Sequence, residues 1–67
     1  MNRIEQLTDE VSAIHESAEN LLQIAEDTKH NSPALAATIT NFSLVLKSQA
    51  VLAEIMLEVL KTQNRTP

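Results

Sequence analysis

The chain has 67 residues, a net charge of -4, no Gly, no Cys, one Phe and neither Trp nor Tyr. That length allows one small domain, and an apolar content of 43% is too high for simple disorder. Without Gly most antiparallel β folds are excluded, because their tight turns need φ > 0; without Cys there is no disulfide framework and no thiolate metal site.

A core this small supplies little stability, and the usual staples of small proteins are absent. Oligomerisation or a partner is the remaining route.

The charge is uneven. Residues 1–29 hold Glu5, Asp9, Glu10, Glu16, Glu19, Glu26 and Asp27 against Arg3 and Lys29, a net of -5. Residues 33–67 hold Lys47, Lys61 and Arg65 against Glu54 and Glu58, a net of +1. Nucleic-acid binding is not expected, since it needs clustered Lys and Arg to replace phosphate counterions. The N-terminus lacks the apolar run of a signal peptide, and charged residues interrupt every stretch that approaches membrane-spanning length. The expected location is the cytoplasm at synthesis, with export by a signal-independent route left open.

The first predicted element is a helix over about 2–29. Ile4, Leu7, Val11, Ile14, Ala18, Leu21, Ala25 and Thr28 step by 3 and 4, a heptad seam. Asn2 with Glu5 three residues on is a capping-box-like start, and Glu5 meets the positive end of the helix dipole.

A turn is predicted at 30–33. Asn31 is the best available residue for a left-handed helix stop in a chain without Gly. Ser32 can cap the next helix, and Pro33 suits its first turn, where the missing N–H costs nothing.

The second helix is predicted over about 33–62, with a polar tail at 63–67. Its seam is read as Leu35, Ile39, Phe42, Leu46, Gln49, Ala53, Met56 and Leu60. Val45, Leu52 and Val59 form a second stripe, and Leu44, Val51, Ile55 and Leu57 add more. Between Ala34 and Leu60, 18 of 27 residues are apolar, whereas one facing helix covers only about a third of the circumference. The expected architecture is all-α: an antiparallel two-helix hairpin, coiled-coil-like, assembling into an oligomeric bundle. The expected oligomer or partner interface is the seam together with the second stripe. Gln49, a lone polar residue on a seam, is expected to fix register or oligomer state.

Catalytic chemistry has little support. His15 with Glu19 and Glu26 with His30 stand one turn apart, but two separated His without Cys make a poor metal or acid–base site. Thr38, Thr40, Ser43 and Ser48 have no base spaced to activate them and no Gly-rich loop for an oxyanion. They read as small polar residues that permit close helix packing. No enzyme activity and no cofactor are expected.

At the turn and second helix, Asn31-Ser32-Pro33-Ala34-Leu35, Ile39, Phe42-Ser43 and the run to Leu60-Lys61 resemble the needle subunits of type III secretion systems. The resemblance implies a small hairpin that polymerises through its C-terminal helix and is held soluble by helical chaperones. The polar end Gln63–Pro67, the lack of Tyr and the regular heptad of the first helix depart from that pattern and suit a small hairpin co-chaperone of the same apparatus equally well.

Two functions follow as expectations. One is a non-enzymatic structural or assembly protein that self-associates through the second helix. The other is a small acidic binding module (chaperone, antirepressor or inhibitor, phage- or plasmid-like) that occupies a groove on a larger protein with Asp9, Glu10, Glu16 and Glu19.

Overall fold

A computed structural model describes residues 2–65. The chain is an all-α hairpin of two helices, α1 (Arg3–Thr28) and α2 (Pro33–Arg65). The start of α1 is as expected: the Asn2 side chain accepts a 2.7 Å hydrogen bond from the Ile4 N–H.

The turn forms where predicted but by another route. No described residue has positive φ, so Asn31 is not a left-handed stop. Lys29 stays right-handed at φ -61°, and the Thr28 carbonyl accepts from both Asn31 N–H (2.9 Å) and Ser32 N–H (2.8 Å). The helix thus tightens through its last turn. Pro33 disfavours helical geometry at Ser32, and the chain leaves the helical path there. The Ser32 carbonyl then accepts from Ala36 N–H at 3.0 Å, while its hydroxyl oxygen accepts a long 3.4 Å bond from Leu35 N–H.

The second helix runs to Arg65, past the expected end near residue 62. No Pro or Gly lies between Lys61 and Arg65 to break the helix there. The expected tail therefore begins no earlier than Thr66; Thr66 and Pro67 lie outside the described residues.

The inner face of α1 is the predicted seam, with Val11, Ala18 and Ala25 buried. The inner face of α2 differs from the prediction. Ile39, Leu46, Ala53 and Leu60 do lie half-buried in the hairpin. The other half of the predicted seam, Leu35, Phe42, Gln49 and Met56, is exposed; the line that packs against α1 is Ala36, Ser43, Ala50 and Leu57. The helix is rotated by roughly 50° from the predicted orientation, half of the ~100° between successive residues.

Small side chains explain the rotation. Ser43 is fully buried, and its hydroxyl donates a 2.8 Å hydrogen bond to the Ala18 carbonyl of α1. In an antiparallel pair, one heptad either way from that bond sets Ala25 beside Ala36 and Val11 beside Ala50, and a second sets Ile4 beside Leu57. Ala and Ser on facing heptad lines let the backbones approach closely, and packing at that distance replaces the larger side chains of the neighbouring line.

Candidate interaction surface

The two flanks of the hairpin differ in chemistry. One carries polar contacts across the helices, a hydrogen bond between His15 and Glu54 at 2.5 Å and an ion pair between Glu19 and Lys47 at 3.5 Å. These half-exposed pairs add little stability but disfavour slippage of one helix on the other. The paired Glu19 is thus partly engaged within the hairpin, whereas Asp9, Glu10 and Glu16 make no ion pair among the described residues.

The other flank is apolar. Nine of the ten large exposed hydrophobic residues lie on α2, Ile24 being the exception, so the uncovered surface belongs to one helix. Leu35, Phe42, Val45, Leu52, Met56 and Val59 fall on one stripe, completed by Thr38 and Gln49. Every one of these eight residues is exposed; Phe42 is 57%, Leu52 63% and Met56 61% accessible. Their steps alternate 3 and 4 along the chain, so the stripe is itself a heptad seam without a facing helix. It contains no charged residue.

The predicted interface residues are thus divided. Ile39, Leu46, Ala53 and Leu60 line the hairpin's own interior edge. Leu35, Phe42, Val45, Gln49, Leu52, Met56 and Val59 stand together outside it. Leu57, read from sequence as extra exposed apolar surface, is buried. The inner small-residue line was missed in sequence, although Ala36, Ser43 and Ala50 recur at seven-residue spacing just as Ala18 and Ala25 do.

The molecule is a rod. Its principal extents are 57 × 18 × 10 Å and its radius of gyration is 15.7 Å. A compact domain of this length has a radius near 11 Å. Its accessible surface is 5119 Å² at 7.4 kDa, whereas a compact monomer of that mass exposes roughly 4200 Å². A depression along Val51, Ile55 and Val59, edged by Glu54 and Glu58, is an open helix face and not an enclosed pocket.

Hydroxyls on α2 are engaged with backbone. Thr38, Thr40 and Ser48 each donate to the carbonyl four residues back, at 3.1, 2.9 and 3.1 Å. Among the described residues no three His, Asp or Glu side chains converge as a metal site, and no helix is long and apolar enough to cross a membrane. No protein-family model matches the chain, and no curated protein or solved structure matches it.

Proposed function

We propose that this protein is a non-enzymatic assembly subunit that self-associates through the exposed apolar face of α2. The observation that carries the reading is the uncharged heptad stripe from Leu35 to Val59, all of it exposed in the single hairpin. A patch of that kind on an isolated small protein is an interaction site or an aggregation hazard. Regular heptad spacing favours the former, because it provides knobs for a facing helix along the whole length. A needle-like subunit and a small closed oligomer are both members of this class.

The second reading, an acidic module that docks on a larger basic protein, draws on Asp9 and Glu16 on the far side of α1 and on Glu10 at its edge beside Leu60, none with a cation partner among the described residues. It accounts for the acids but leaves the α2 stripe without a role. Sedimentation of the purified chain at micromolar concentration tests the proposal. A discrete oligomer or a polymer supports it. A well-folded monomer overturns it.

A further inference from the structure

The stripe has an internal symmetry that identifies its occupant. Gln49 is its one amide, and Phe42 and Met56 stand one heptad to either side. Val45 and Leu52 bracket almost the same centre. We infer that a second copy of the chain packs its α2 antiparallel on this stripe, about a two-fold axis at Gln49, closing a four-helix bundle. The inference rests on the self-association reading and adds the partner, the direction and the register.

Each feature of the stripe fits this arrangement. Antiparallel packing about Gln49 sets the two Gln49 amides against each other, where each is both donor and acceptor. It sets Phe42 against Met56 of the second copy, a ring and a thioether, and Val45 against Leu52. A shift of one heptad strands the amide against Phe42 or Met56, so the polar residue selects one register. A two-fold interface must be self-complementary, and an uncharged stripe brings no like charges together. The acidic outer face of α1, with Asp9 and Glu16, stays in water on both copies.

The chain has no Cys, so single introduced thiols report contacts cleanly. Gln49, Phe42 and Met56 are exposed in the hairpin, and substitution there leaves its interior intact. Seven residues of helix span about 10.5 Å, so Phe42 lies about 21 Å from its own copy, beyond disulfide reach. The expected result under a mild oxidant is a cross-linked dimer from Gln49→Cys. Neither Phe42→Cys nor Met56→Cys is expected to link alone, whereas an equal mixture of the two links as a heterodimer. Circular dichroism checks that each variant keeps its helix content.

Self-linking of Phe42→Cys overturns the antiparallel direction. An unmodified chain that sediments as a dimer while none of these variants links overturns the register and leaves self-association standing. Large polymers overturn the closed bundle, and a monomer overturns the inference together with the reading beneath it.

Discussion

Replacing Leu52 by Glu tests the exposed stripe most directly. Leu52 is 63% accessible in the hairpin. Complete burial of a Leu side chain is worth about 1.5–3 kcal/mol, so covering this fraction contributes about 1–2 kcal/mol. Two-fold symmetry uses the residue twice, giving about 2–4 kcal/mol per dimer and, at ~1.4 kcal/mol per decade, roughly 30- to 700-fold in Kd. Glu adds the cost of removing a carboxylate from water, so the loss is at least that large. Leu44→Glu is the matched control: Leu44 is 54% accessible but lies on α2 away from the stripe. Sedimentation equilibrium at a concentration where the unmodified chain is fully associated should show Leu52→Glu dissociated and Leu44→Glu still assembled. Equal dissociation by both substitutions, or by neither, refutes the placement of the interface.

Four further outcomes follow from the fold. Ser43→Leu should lower Tm by roughly 8–16 °C, because overpacking the fully buried site costs about 2 kcal/mol and each kcal/mol shifts a domain of this size by about 4–8 °C; a calorimetric scan with no change would mean the helices are not close there. Asn31→Gly should destabilise by about 0.5–1 kcal/mol, since no positive φ exists for Gly to relieve; higher stability in urea would point back to a left-handed turn. Gln49→Leu should raise Tm while broadening the distribution of oligomers, and unchanged size by light scattering would deny the amide its role in register. For the unmodified chain, Tm should climb as protein concentration increases a hundredfold, because association stabilises only the folded form; a constant Tm would show that the hairpin is sufficient alone.

The class of fold was legible because helix periodicity and punctuation agree. The seam of α1 reads directly from Ile4 to Thr28, since its other faces are charged and leave one orientation. Asn2 and the Ser32-Pro33 pair mark helix starts by local chemistry that needs no tertiary context. The orientation of α2 was not legible from apolarity, because apolar residues occupy most of its circumference. The deciding information was size: Ala36, Ser43 and Ala50 sit inside, where small side chains let the two helices pack closely. The geometry of Asn31 was misread for a related reason. A missing Gly suggested that another residue must adopt positive φ, whereas two bonds to the Thr28 carbonyl and the restriction imposed by Pro33 turn the chain with ordinary dihedrals.

The rotation of α2 also bears on why the apolar surplus is organised at all. Turning Leu35, Phe42, Gln49 and Met56 toward α1 would bury three large side chains and one amide. It would leave Val45, Leu52 and Val59 outside next to Leu44, Val51 and Ile55, with Ala36, Ser43 and Ala50 on the opposite edge. The observed rotation keeps the Phe42 line and the Leu52 line side by side. It puts small residues where two helices of one chain must approach closely, and reserves two adjacent lines of large residues for the outside. The hairpin thereby has weaker internal burial and a complete second seam. In the proposed assembly, stability of the fold and association are coupled through the same helix: the inner face sets the rotation, and the outer face is the one offered to a second copy.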